Sequence, residues 1–443
     1  MKRLFCAAAA LFAALCFPFA PLAGWEPDFE VNADQVLLLN LDTGTVVYEK
    51  DADSPHAIAS LTKMMTCLLL LESGEDLNTV ITIPDRLEEE FQAIKDWNGV
   101  YIDLQPGEEI SLKNLLYCTL LPSANDTASA IADYLSDGDI PAFVDQMNQR
   151  AGGLGCRNTH FTCPHGLYDQ DNYSTARDLS LIAQACLANP EFMEVATTTS
   201  FWLPVTNFHT QPQSPDAPEG YYLELSSSIQ LQLPESPLYR PYARGIKTGF
   251  TDEAGRCLVT TAQTDGENYL LVLLGAPNQK DENGVQVCFG TCANLLDWAL
   301  DRFETGSLPE TGQALATLPL NYCKEADTVE VYPNGQLSGL FWDGENPPEY
   351  RLDLPESVDA PVTQGQALGT LTLYQDGQAL GTLELTAGAD YERSALLYWK
   401  ARLGPLSGWL VGALVFLLVL ALLILLRVRQ VKRRRRRRRV YRR

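Results

Sequence analysis

Histidine is scarce in this chain, with four in 443 residues, at positions 56, 160, 165 and 209. None stands in an H-E-x-x-H or comparable ligand spacing, so the pattern of a zinc peptidase is missing and no metal or cofactor is expected. Basic residues are just as scarce between the two ends. Of 33 Lys and Arg, twelve follow Leu426 and two lie in the first three residues, which leaves 19 against all 56 Asp and Glu. A surface that acidic repels nucleic acid and anionic membranes, so nucleic acid is not an expected partner. No strong internal repeat is visible, which argues against a repeat architecture. Nine cysteines remain after Ala23, an odd number that cannot all pair within one chain. Cys156 with Cys163, and Cys288 with Cys292, are close enough to invite a disulfide, whereas Cys67 and Cys118 fall in apolar helical runs and read as core.

The ends are apolar. Lys2 and Arg3 precede a small-residue and apolar run through Phe19, a secretory signal pattern with a cut near Ala23. Leu406 to Leu426 is apolar except for Ser407, and its 21 residues match the thickness of a bilayer. The Arg-rich stretch that follows stays in the cytoplasm by the positive-inside rule, and everything before Leu406 is exported.

In between, Gln35–Asn40 and Thr45–Tyr48 read as strands of a hairpin, and Asp85–Gly99 as acidic surface. Ile110 begins a helix that Pro122 stops, Thr127–Leu135 and Ile140–Arg150 are helical, and Thr175 with Asp178 caps a helix through Leu187. Gln211–Tyr242, rich in Pro, Ser and Gln, reads as a long surface excursion near the site, with a strand pair at Tyr221–Leu225 and Ile229–Leu233. Cys257–Ala262 and Tyr269–Gly275 are apolar strands of an antiparallel sheet, and Gly290–Phe303 is a closing helix. From Leu320 to about Leu385, short strands with Gly, Asn and Asp turns suggest a small all-β module.

Three short motifs carry chemistry. Ser60-Leu61-Thr62-Lys63 heads an apolar helix, with Ser60 in its first turn and Lys63 one turn later on the same side, so the amine reaches the hydroxyl. A lysine beside a buried apolar helix loses its proton more easily than in water and becomes the base a serine nucleophile needs. Ser123-Ala124-Asn125 sits in a tight connection between helices, and Lys247-Thr248-Gly249 precedes Phe250 on a strand.

In that order the three resemble the low-molecular-weight penicillin-binding proteins that act as D-alanyl-D-alanine carboxypeptidases, peptidase family S11. Asp42–Tyr48 looks like that family's opening hairpin, and Thr159–Leu167 like its Asn-Pro-His-Gly-Leu loop, with Cys163 where Asn is usual. Asn172 stands where His is often found. The resemblance implies an α/β serine β-lactamase/penicillin-binding-protein-like domain, antiparallel sheet with helices, plus a small all-β domain and a C-terminal transmembrane helix. The expected organisation is a signal peptide over 1–23, a DD-peptidase domain over 24–304, a β domain over 305–390 and a juxtamembrane linker over 391–405. A membrane helix over 406–426 and a cytoplasmic tail over 427–443 complete it.

What the resemblance implies for mechanism is specific. Ser60 attacks the penultimate D-Ala carbonyl of peptidoglycan stem pentapeptides, Lys63 takes its proton, and Ser123 protonates the departing nitrogen. The N–H groups of Ser60 and Phe250 form the oxyanion hole, Asn125 binds the substrate backbone, and Lys247 with Thr248 holds the terminal carboxylate. Gly249 removes a side chain where the strand lies against the substrate. β-Lactams would act as covalent inhibitors, and His165 is expected to be a structural loop residue. The alternatives are a β-lactamase, esterase or transpeptidase using the same serine, or an inactive penicillin- or wall-binding protein. Oligomeric state is left open.

Overall fold

Tyr269–Leu274 has no polar residue to turn toward water, so a strand made from it is buried on both faces. In the computed structural model of the chain, Asn268–Ala276 (β7) is the central strand of a five-stranded antiparallel sheet. Its neighbours are Gln35–Asn40 (β1) and Val46–Lys50 (β2) on one side, Gly255–Gln263 (β6) and Ala243–Thr251 (β5) on the other, in the order β2-β1-β7-β6-β5. Residues 26–404 are described, except 283, 311, 343–347 and 376, together with 407–440, so the expected signal peptide lies outside the described residues. The chain forms two compact units by packing, one of the residues up to Gly306 with a stretch from Gly339, the other of Ser307–Ser338 with the residues from Pro348.

Alternation along β1 and β7 divides the first unit into two cores. Leu37, Leu39, Leu270, Val272 and Leu274 face one cluster with the helices Lys63–Glu72 (α1), Leu112–Leu120 (α3), Asn125–Leu135 (α4) and Ala176–Leu187 (α6). Val36, Leu38, Leu271 and Leu273 face the other, built on Val287–Arg302 (α8). Because α1 is apolar around its circumference, Met64, Met65, Cys67, Leu68 and Leu70 are all buried among its neighbours. The Thr175 cap forms as expected, its Oγ1 accepting from Asp178 N at 3.0 Å.

Asp85–Gly99 is acidic and largely exposed, as expected, and Glu88–Asp96 (α2) within it is a helix with three acids in its first turn, favoured by the helix dipole, and with Phe91 and Ile94 buried. Two local readings are corrected. Tyr221–Ser226 (β4) pairs with Ser200–Pro204 (β3), not with Ile229–Leu233. That latter stretch instead makes a 3-10 turn at Gln230–Gln232 with Leu231 and Gln232 buried, so the end of the excursion is interior. Finally, Ser60 precedes the α-helix, in a 3-10 turn at Ala59–Thr62, and Lys63 is the first residue of α1.

The second unit carries a six-stranded sheet in the order 349–353, 367–375, 378–387, 328–333, 316–321, 358–359. Val329, Val331, Leu371 and Leu385 form its buried centre. A helix Ala395–Leu403 lies within the stretch expected to be linker, and a second helix runs from Ser407 to Val440. Its segment Val411–Arg433, which contains an 18-residue window of mean hydropathy 3.0, is long and apolar enough to cross a membrane.

The nine cysteines among the described residues are all free thiols. Cys163 Sγ is turned to accept from Gly166 N at 3.2 Å, while Cys156 Sγ approaches Asp178 O at 3.5 Å. Cys288 and Cys292 are buried separately in the α8 core. Alkylation of the unfolded chain without reductant should therefore label all nine positions in the intact mass; fewer labels would reveal a disulfide that this packing does not contain.

Candidate active site

A lysine at the start of an apolar helix is driven inside with it. Lys63 is completely buried, and its Nζ has three partners: Asn125 Oδ1 at 2.6 Å, the His165 carbonyl at 2.6 Å and Ser60 Oγ at 2.9 Å. Burial first, and the nearby Lys247 second, hold its pKa well below the ordinary lysine value. A neutral amine has two hydrogens and one lone pair. Two of the three partners are amide-type oxygens that only accept, so they take both hydrogens, and the lone pair is left for the one partner that can donate, the Ser60 hydroxyl. This is the arrangement of a base poised on a nucleophile.

The partners are themselves fixed. Asn125 is 3% exposed, at the first position of α4, and its Nδ2 donates to Val100 O at 2.9 Å. Asp126 beside it accepts from Ile102 N and Leu104 N, both at 3.1 Å, so the strap 100–104 and the Asn125 amide are tied to one helix start. Burial raises the Asp126 carboxyl to about 6, against the hydrogen bonds that hold it down. The loop before Gly166 is tied through Thr66 Oγ1, which donates to Pro164 O at 2.6 Å. Cys163 and Asn172, the two departures from the family's usual residues, both make bonds here. Cys163 Sγ takes the Gly166 N–H, and Asn172 Nδ2 donates to Thr62 Oγ1 at 3.1 Å while its Oδ1 accepts from Thr162 N at 3.2 Å. The His165 ring faces Glu90 Oε1 at 3.2 Å; its carbonyl is what touches the base.

Close approach at the nucleophile requires two glycines. A side chain on Gly166, whose φ is +80°, would collide with the Ala59 carbonyl. A Cβ on Gly249 would come 3.0 Å from Ile58 O and 3.2 Å from Ser60 N, so this glycine makes room for the turn that carries Ser60. Two non-glycine residues adopt left-handed conformations beside them, Ala59 at φ 46° and Ser123 at φ 72°. Such strain costs about 1–3 kcal/mol per residue and concentrates at functional sites.

Lys247 is also completely buried, its Nζ donating to Thr248 O at 2.9 Å, and burial lowers its pKa to about 7. The Ser123 hydroxyl is buried without a hydrogen-bond partner among the described residues, so it bonds to neither lysine. Ser60, Ser123, Asn125, Thr248, Gly249 and Phe250 all line one cleft of about 970 Å³, walled also by Trp97, Tyr168 and Ser228. The side chains singled out from sequence are thus gathered at one place, Lys63 and Lys247 behind its wall. Asp126, the His165 carbonyl and Ser228 were not identified from sequence. Ser228 sits in the stretch read as a long surface excursion near the site with a strand pair, in which no single residue stood out, and a carbonyl leaves no trace in residue identity. Among the described residues, no group of three or more His, Cys, Asp or Glu is placed to hold a metal ion.

Residues 23–278 match the family described as D-alanyl-D-alanine carboxypeptidase. Residues 303–393 match the C-terminal domain of penicillin-binding protein 5. The chain is 28% identical over 420 residues to D-alanyl-D-alanine carboxypeptidase DacF of Bacillus subtilis (strain 168), covering 91% of this chain and 98% of that one. It is 28% identical over 362 residues to D-alanyl-D-alanine carboxypeptidase DacA of Escherichia coli (strain K12), covering 79% and 81%. In structure it is similar to D-alanyl-D-alanine carboxypeptidase DacD of Francisella tularensis, with a TM-score of 0.63 over 83% of this chain and 95% of that chain, at 23% identity.

The two glycines are expected to separate stability from reactivity. Gly166→Ala, with backbone in the way, should cost more than about 3 kcal/mol in urea unfolding. Gly249→Ala needs only a few tenths of an ångström and should cost about 1 kcal/mol, yet slow acylation of Ser60 by a fluorescent penicillin at least about tenfold. Equal effects of the two substitutions on both measurements would contradict this division.

Proposed function

The chain belongs to the D-alanyl-D-alanine carboxypeptidase family of serine peptidases, and on that premise we propose how its site removes the terminal D-Ala of peptidoglycan stem pentapeptides. The observation that carries the proposal is the placement of Lys63 Nζ 2.6 Å from two fixed acceptors, Asn125 Oδ1 and the His165 carbonyl, and 2.9 Å from Ser60 Oγ, an arrangement in which a neutral amine gives its hydrogens to the first two and turns its lone pair to the third.

Ser60 Oγ attacks the penultimate D-Ala carbonyl as its proton passes to Lys63. The new C–O bond forms an acyl-enzyme, and the C–N bond to the last D-Ala breaks once its nitrogen gains a proton by way of Ser123, whose unpartnered hydroxyl is available for that transfer. Water then attacks the ester, returns a proton to Ser60 Oγ and frees the shortened peptide. The N–H groups of Ser60 and Phe250 receive the developing oxyanion. Asn125 serves Lys63 through its oxygen and meets the substrate backbone through the hydrogen of Nδ2 that Val100 leaves over. Lys247 and Thr248 take the terminal carboxylate, a local positive charge on an acidic protein. β-Lactams enter as substrates that acylate Ser60 and leave slowly. The apolar helix supports membrane anchoring, with the catalytic unit outside and the Arg-rich end in the cytoplasm.

The direct test is release of D-alanine from a peptide ending in Lys-D-Ala-D-Ala, followed by mass spectrometry. Ser60→Ala should abolish both release and penicillin labelling. Labelling without release in the parent would move the function to one of the alternative serine chemistries, and release that survives in Ser60→Ala would refute the nucleophile.

The pH dependence follows from the two lysines. Lys63 works as the free base, so kcat/KM rises with pH as it loses its proton. Lys247 works as the ammonium, and with a pKa of about 7 in the free enzyme its loss of charge should pull kcat/KM down above pH 7. Lys247→Arg, which keeps its charge, should move that alkaline limb up by about 2 pH units or more. A limb that stays put would show that another group titrates there.

A further inference from the structure

Ser228 lines the same cleft as Ser60, and its Oγ lies 2.6 Å from Thr248 Oγ1, a short bond between two hydroxyls. We propose that Ser228 is a positioning residue for the terminal carboxylate of the substrate, acting through the Thr248 hydroxyl. The proposal rests on the reading above in which Lys247 and Thr248 receive that carboxylate.

Two hydroxyls in contact share one hydrogen bond and keep one hydrogen to spare. A carboxylate only accepts. Its arrival selects the arrangement in which Ser228 donates to Thr248 and Thr248 donates to the anion, a chain of two bonds that strengthen each other. Without Ser228, the Thr248 hydroxyl rotates freely and has to be ordered with each substrate.

Ser228 is suited to this because its backbone is held on both sides. Ser227 N donates to Thr199 O at 2.8 Å. Ser227 Oγ accepts from Ile229 N at 3.2 Å and from Gln232 Nε2 at 2.7 Å. Gln232, 6% exposed, also donates to Ala196 O at 3.2 Å, and its Oε1 accepts from Gly245 N at 2.9 Å. The short segment 227–232 therefore grips β5 twice, near its start through Gln232 and at Thr248 through Ser228. The second grip is registered to the strand that carries Lys247, rather than hung from a loose loop.

The test compares two substrates sharing one acyl-D-Ala group: the peptide ending in D-Ala-D-Ala, and an activated ester whose leaving alcohol carries no charge. Only the first has a carboxylate to place. In Ser228→Ala the ratio of kcat/KM for peptide to that for ester should fall about tenfold, the size of one hydrogen bond to a charged group, mostly through KM. Ser228→Thr, which keeps the hydroxyl, should recover most of the ratio, and Ser228→Cys, a weak donor of similar size, should fall in between. In a Thr248→Val background the change at Ser228 should leave the ratio where Thr248→Val alone puts it. An unchanged ratio in folded Ser228→Ala, or an equal loss on both substrates, would overturn the proposal and leave Ser228 a structural residue. A parent enzyme that releases no D-alanine from the peptide while its ester is cleaved would instead defeat the carboxypeptidase reading, and this proposal with it.

Discussion

An amine completely shut away from water, with acceptors for two hydrogens and a serine for its lone pair, is the constraint from which the rest of this molecule follows. Charging Lys63 there costs several kcal/mol of lost hydration, and a second buried lysine nearby opposes the charge further. The folded state thus favours loss of the Lys63 proton by burial and by the neighbouring charge. Both acceptors come from segments distant in sequence, Asn125 at the head of α4 and His165 in a loop. Each is fixed by further bonds, the first through Val100 and Asp126, the second through Thr66 and Cys163.

Bringing those segments onto one turn leaves little space. Gly166 and Gly249 are required because the backbones of the loop and of β5 run against Ala59 and Ser60, and Ala59 and Ser123 hold left-handed conformations at the same site. The surrounding cores offset that strain: a sheet buried on both faces, and α1 buried around its whole circumference. Rigid surroundings suit an oxyanion site, where donors must be in place before charge develops.

Charge is distributed with the same economy. The part of the chain between its two ends has 19 basic residues against 56 acidic ones, so an anionic peptide end meets attraction only where a cation is concentrated. In the proposed mechanism Lys247 supplies that cation, and from a pKa of about 7 an arriving carboxylate would make it hold its proton more firmly.

Residue order alone determined the family and the antiparallel sheet, and pointed to the serine that the proposed mechanism uses. Ser60-Leu61-Thr62-Lys63, Ser123-Ala124-Asn125 and Lys247-Thr248-Gly249 are contiguous motifs, and apolar runs such as Tyr269–Leu274 admit only a buried strand. Periodicity and composition say less about the pieces whose role is set at a distance. The helix Glu88–Asp96 is largely exposed, as its acidity suggests, but composition does not show that Phe91 and Ile94 pack inward or that Glu90 meets His165. The stretch Ile229–Leu233 has the apolar alternation of a strand, but β3 had already taken the pairing edge of β4. Which carbonyl faces Lys63, which glycine clears Ser60 and which hydroxyl reaches Thr248 were decided only by tertiary structure. Those contacts join residues 20 to more than 180 positions apart through backbone atoms and hydroxyls, and residue identity carries no record of where such atoms end up in space.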